Sequence, residues 1–214
     1  MKNLKRITLA VLALASTATI NAQENDSDKE NSLRIGVKAG LNYSNVYDER
    51  GDDLVADGKF GLAGGAFLSI PIGDFFGIQP EFLFSQKGFK ATGSVVGLNY
   101  ELTRTSTFID VPLFFAVRPV PFITILAGPQ FSYLINQKDE FTGSVSSFAV
   151  EQEFENDNIR KNIMCFVGGI DINVSHIVIG ARAGFDFQDN AGDGTNSTPR
   201  YKNVWYQATV GIRF

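Results

Sequence analysis

Two acids and two bases interrupt apolar runs along the chain: Lys38 in "IGVKAGL", Glu81 in "IQPEFLF", Asp110 in "FIDVPLF" and Arg182 in "IGARAGF". Isolated carboxylates in an apolar site can serve as general acids or bases. Carboxylates matched by Lys and Arg instead neutralise one another, and the equal numbers here point to a buried ionic network. Hydrolysis by an activated serine needs a histidine base beside the nucleophile. The chain has one histidine, His176, in the short stretch "VSH", where it reads as an exposed turn residue. Its one cysteine, Cys165, rules out an internal disulfide and a cysteine-cluster metal site. Oxygen-rich stretches occur at "VYDERGDDLVADG" and "QDNAGDGTNS", but neither carries the spaced ligands of a calcium loop. The expected chemistry is therefore neither catalytic nor cofactor- or metal-dependent.

The elements that hold these residues follow from period-two alternation, the mark of a strand with one apolar face. In "LRIGVKAGLNYS", Leu33, Ile35, Val37, Ala39, Leu41 and Tyr43 face one way, and Arg34 and Lys38 the other. Seven further runs repeat the pattern, and the last, "YQATVGIRF", ends on Phe214. The opposite faces carry Gly, Ser, Thr, Gln and sparse charges: Arg34, Lys38, Lys87, Arg182 and Arg213 against Glu81, Asp110, Asp171 and Asp186. A glycine-rich polar face suits the crowded interior of a small closed barrel. The apolar faces suit tilted strands of about ten residues crossing a bilayer, where the sheet must close because lipid leaves no edge satisfied. The expected fold is all-β: an eight-stranded antiparallel up-and-down transmembrane β-barrel spanning residues 33–214.

Connections alternate short and long. "GD", "RPVP" and "VSH" are short turns; residues 46–58, 88–104, 137–161 and 189–202 are expected as long loops. That alternation puts the short turns and both termini on the periplasmic side of an outer membrane. The alternating "SVSSFAV" within 137–161 suggests that this loop prolongs its hairpin past the membrane and offers a surface to an extracellular ligand. Pro80, Pro112 and Pro129 fall inside strands, and a bulge or local widening is expected near some of them, since proline removes a ladder donor. Counting along the strands sets Lys38, Glu81, Asp110 and Arg182 roughly five to seven residues from their short-turn ends, in one mid-barrel layer.

The N-terminus fits export. "MKNLKR" is basic, "ITLAVLALASTATI" is apolar but short, and "NAQ" offers Ala22 as a cleavage point. Residues 1–22 are thus expected to be a signal peptide, and 23–32 a solvated periplasmic lead-in. Removing Lys2, Lys5 and Arg6 lowers the 19 basic residues to 16 against 23 acidic ones, which gives no electrostatic case for nucleic acid.

The stretches "IGVKAGLNYSNV", "IQPEFLFSQKG", "IDVPLFFAV" and "LAGPQFSYLI" resemble the outer-membrane β-barrel domain of Bacteroidetes, a porin-like family that includes the PorT-type proteins of secretion. The resemblance covers nearly all of the chain after the signal. It implies residence among outer-membrane lipids and insertion by the barrel assembly machinery, which reads a terminal strand ending in an aromatic. Ala208, Val210, Ile212 and Phe214 match that signal. Eight strands leave an interior just wide enough for side chains to fill, and the near-balanced inward charges suggest mutual pairing, so a structural or loop-presenting barrel with a filled lumen is expected, the alternatives being a narrow channel or a secretion-associated barrel.

Overall fold

A computed structural model of the chain describes residues 32–47, 56–95, 98–143, 148–152, 159–190 and 201–214. The expected signal peptide, and the lead-in up to residue 31, lie outside these residues. Among the described residues there are nine antiparallel strands: β1 (Arg34–Tyr47), β2 (Ala56–Ile72), β3 (Phe76–Val95), β4 (Leu98–Val120), β5 (Ile123–Gly143), β6 (Phe148–Gln152), β7 (Asn162–Val174), β8 (Ile177–Asp186) and β9 (Lys202–Arg213). Eight of them close a ring, β1–β2–β3–β4–β5–β7–β8–β9, which returns to β1 through pairs such as Leu41–Ala208 and Tyr43–Tyr206. The ninth, β6, stands outside the ring and pairs with Gln137–Phe141 of β5. The eight-stranded barrel is therefore present as the alternation predicted.

The alternation itself sorts the two faces. Along β8, Ile177, Ile179, Ala181, Ala183 and Phe185 are exposed, while Val178, Gly180, Arg182, Gly184 and Asp186 are buried. Exposed Val37, Leu41, Phe82, Leu113, Ile170 and Val210 belong to a continuous apolar belt around the outside. Aromatic side chains mark both margins of the belt. Phe75, Phe76, Phe115, Phe122 and Phe214 lie toward the short turns. Tyr43, Phe60, Phe84, Tyr133, Phe166, Phe185 and Tyr206 lie toward the long links, with Tyr43 and Phe60 ring centroids 5.0 Å apart.

The structure corrects the sequence reading in four places. Residues 88–104, expected as a loop, are strand on either side of 96–97, because β3 and β4 run on as a hairpin of 20 and 23 residues. β5 likewise runs 21 residues and folds back as β6, so the predicted prolongation of that hairpin is present. β3, β4, β5 and β6 thus form a wall standing beyond the belt. There the outward positions change from Phe82 and Phe84 to Gln86 and Lys90. On the same wall Lys138 bonds Glu140 at 2.7 Å, which holds that exposed carboxyl below its usual range. The second correction concerns the turn "RPVP": Arg118, Pro119 and Val120 remain in β4, and the turn is Pro121–Phe122.

Third, the register shifts lie at Gly58/Ala63, Thr107/Phe108 and Val117/Val120, away from the prolines, while at the prolines the register holds and the ladder only skips pairs, between Pro80 and Leu83 of β3 and between Pro112 and Phe115 of β4. Fourth, the interior is not wholly polar. Phe108, Phe114, Leu126, Leu134, Ile163, Cys165, Val167 and Trp205 point inward and pack as one cluster. Two glycines permit this crowding. A Cβ on Gly184 would sit 2.4 Å from the Trp205 ring, and one on Gly40 would sit 1.9 Å from the Ala208 carbonyl across the β1–β9 seam.

Candidate functional site

The lumen carries charge in three levels. The level nearest the short turns draws on β1, β3, β7 and β8. Lys38 pairs with Glu81. Arg182 Nη2 lies 2.8 Å from Asp171 Oδ1 and 3.7 Å from Glu81 Oε1. Gln79 joins the two acids: its Nε2 donates to Glu81 at 2.9 Å and reaches Asp171 at 3.4 Å. All five side chains are buried. The guanidinium also donates to the Ile170 carbonyl at 3.1 Å and lies 5.4 Å from the Phe114 ring centroid. Period-two geometry places these groups, since each occupies an inward position between two outward apolar neighbours.

The next level contains Lys87 and Asp110, 3.0 Å apart and buried. The Lys87 ammonium stands 3.7 Å from the Trp205 ring centroid and 4.9 Å from that of Phe108, a cation held between aromatic faces. Beside it Asp186 accepts from the Cys165 thiol at 3.0 Å and from the Asn203 backbone N–H at 3.1 Å. At the foot of the wall Arg104 forks onto Asp139 with bonds of 2.7 and 2.6 Å, and donates to the Tyr201 hydroxyl at 3.2 Å. Neutral groups bind the seam: Gln207 donates to Asn42, and Asn42 to Ser85, both at 2.9 Å.

Lys38, Glu81 and Arg182 are therefore brought together, and Asp110 is not with them. The expected layer of four becomes two levels, with Asp171 as the second acid of the lower one and Lys87 as the base beside Asp110. The physical reason is the length of β4. It ends at Val120, so Asp110 sits further from the short-turn end than the count assumed. Ala208, Val210, Ile212 and Phe214 lie on the outward face of β9 and are exposed. The sequence reading did not single out Gln79, Arg104, Asp139 or Trp205. Of these, Gln79 and Trp205 carried a usable signal, the inward parity of Gln79 with Glu81 and of Trp205 with Gln207.

Arranged this way, Lys38, Lys87, Arg104 and Arg182 each face an acid, and the apolar cluster fills the space around Lys87 and Arg182. His176 lies in an exposed turn with its Nδ1 3.0 Å from the Ser175 hydroxyl, outside the lumen. Among the described residues, no group of three His, Cys, Asp or Glu is placed to hold a metal ion.

Residues 21–191 match the family described as the outer membrane protein beta-barrel domain. The chain belongs to that family. This outer-membrane β-barrel sits in the lipid bilayer, with the apolar belt as its lipid-facing surface. Solved structures similar to it include Ail, the attachment invasion locus protein of Yersinia pestis. The two are 15% identical over 85% of this chain and 98% of that one, with a TM-score of 0.48. Neisserial surface protein A is 9% identical over 84% and 97%, with a TM-score of 0.49. OprG of Pseudomonas aeruginosa is 12% identical over 86% and 97%, with a TM-score of 0.41. No curated protein matches the chain.

Proposed function

We propose that this outer-membrane barrel is a closed, non-conducting and non-enzymatic scaffold that holds the β3–β6 wall outside the cell. The observation that carries the reading is the filled lumen: two levels of paired charge with Phe108, Phe114, Leu126 and Trp205 packed among them. An open pore would need a continuous wet path, and a selective one lines itself with one sign of charge. Purified barrel in planar bilayers should show no stable unitary conductance. Reproducible steps under an applied voltage would sink the reading and favour its rival, a narrow channel or a secretion-associated barrel of PorT type. The finer kinship with the porin-like barrels of Bacteroidetes rests on the four sequence stretches quoted above.

In this reading residues 1–22 direct export, residues 23–32 lead into the barrel, and the short turns and both termini face the periplasm. The length of the wall supports that orientation, because long extensions of such barrels stand on the outer side. Lys90→Cys, exposed on the wall, should react with an impermeant maleimide on intact cells, while His176→Cys should react only after permeabilisation. The native Cys165 thiol is buried and gives little background. The reverse labelling pattern would invert the topology. An extracellular ligand or secretion partner, if the barrel has one, meets the wall.

A further inference from the structure

At the short-turn end one run of polar contacts crosses four strands. Arg213 of β9 donates from its backbone N–H to the His176 carbonyl at 2.8 Å, from Nε to the Ser175 carbonyl at 3.1 Å and from Nη1 to Asn173 Oδ1 at 2.9 Å. Asn173, on β7, carries the run onward. Its Nδ2 donates to Thr124 Oγ1 at 3.0 Å, and its backbone N–H to the Phe122 carbonyl at 2.8 Å. The end of β9 is thus tied to the β7–β8 turn, and through Asn173 to the β4–β5 turn and the start of β5. β9 and β5 are not neighbours in the ring, since β8 and β7 stand between them. Asn173 and Thr124 are both buried, so a partner lost from either leaves a polar group poorly satisfied. The run also holds a strained point. Ser175 has a left-handed backbone, φ 51°, which persists in a residue with a Cβ only where the surroundings fix it.

We propose that this run is a closing strap, which makes the short-turn rim from β5 to β9 open and close as one unit. Arg213 belongs to the last strand, so its grip on Asn173 forms only once the end of β9 has met β8. Before that the β4–β5 and β7–β8 turns open independently of the chain end. Afterwards, freeing the end of β9 releases Asn173 Oδ1, and the amide that holds Thr124 loses its anchor with it. Local opening, which ordinarily stays within one hairpin, then spreads across two intervening strands. Coupling of that kind needs a contiguous chain of contacts between the two places, and Arg213, Asn173 and Thr124 supply one. The strap acts in the same way whichever phase the short turns face, so it stands apart from the orientation proposed above.

The test is amide hydrogen exchange, read by mass spectrometry, on the full barrel refolded in lipid vesicles. Arg213→Ala keeps the backbone bond to His176 and removes the two side-chain bonds. It should speed exchange about 10-fold at 210–214 and also at 122–126, on a strand that Arg213 does not touch. Thr124→Val removes the hydroxyl at the far end of the strap with little change of shape, and should speed exchange at 210–214. The hairpin between Ile70 and Ile78 turns on the same rim but takes no part in the strap, and should exchange as in the parent chain. Heat-modifiable gel mobility reports whether each variant folds. Should Arg213→Ala fail to insert, Thr124→Val read at 210–214 decides alone. Faster exchange confined to the strand that carries each substitution, or an equal rise in the Ile70–Ile78 hairpin, overturns the proposal.

Discussion

Truncating Arg182 to alanine should cost the folded barrel about 3–5 kcal/mol, the range for leaving a buried partner charge uncompensated. Arg182 stands 2.8 Å from Asp171 and 3.7 Å from Glu81. Glu81 keeps Lys38 when the guanidinium is gone, but Asp171 keeps the amide of Gln79, at 3.4 Å, and the more distant charges of Lys38 and Arg213. The loss therefore falls mainly on Asp171. Removing both partners, in Arg182→Ala with Asp171→Ala, takes away the orphaned charge and should cost less than the two single losses added together. That shortfall measures the coupling of the pair. Urea unfolding from lipid vesicles gives the number, read through the chain's single tryptophan, Trp205, which sits in the apolar cluster above this level. Additive single and double losses would mean that the two residues do not act as a pair.

Phe214→Asp should reduce the inserted, heat-modifiable fraction in cells several-fold while export continues. The alternative to a recognition role is a lipid anchor at the margin of the belt, and the two differ in energy. A charge near the interface of such a barrel costs only about 0–1 kcal/mol. The structure adds that Phe214 is exposed, and that its backbone N–H donates to the Ile35 carbonyl at 2.8 Å, a bond that survives the substitution. An anchor alone therefore predicts a slight loss of stability and near-normal insertion. A residue read by the assembly machinery predicts a large insertion defect in cells, with nearly unchanged refolding of purified protein into vesicles. Equal behaviour of Phe214→Asp and the parent chain in cells would refute the recognition role.

The barrel was legible because lipid on one side and a narrow interior on the other enforce a strict period of two, as in β8. Legibility failed where that contrast fades. In "STFIDVPLFFA" both faces of β4 are apolar, so Phe108 and Phe114 could not be told from Val111 and Phe115 by hydropathy. Parity set Trp205 on the face opposite Val204 and Tyr206, but nothing in the sequence showed that it packs with Phe108 and Phe114. Past the belt the outward face meets water, so Lys90 reads as loop although the backbone ladder continues to Val95. The candidate site suffered from the same blindness. Inward parity identified Lys38, Glu81, Asp110 and Arg182 correctly, and the misjudged end of β4 then set Asp110 at the wrong height.

The pairing of charges bears on the order in which the barrel is made. Lys38 and Glu81, Lys87 and Asp110, and Arg104 and Asp139 all join strands of the first five. Arg182 and Asp171 join β8 to β7. Among the lumenal ion pairs of the described residues, the longer 3.7 Å approach of Arg182 to Glu81 spans the two halves. At the β1–β9 seam, by contrast, Lys38 stands opposite Gly211, and Asn42 accepts from Gln207. A nascent half-cylinder can therefore enter the bilayer with these ion pairs already made. The last step, zipping the first strand to the final one, then adds neutral hydrogen bonds such as Gln207–Asn42 at the seam and brings Arg182 up to Glu81.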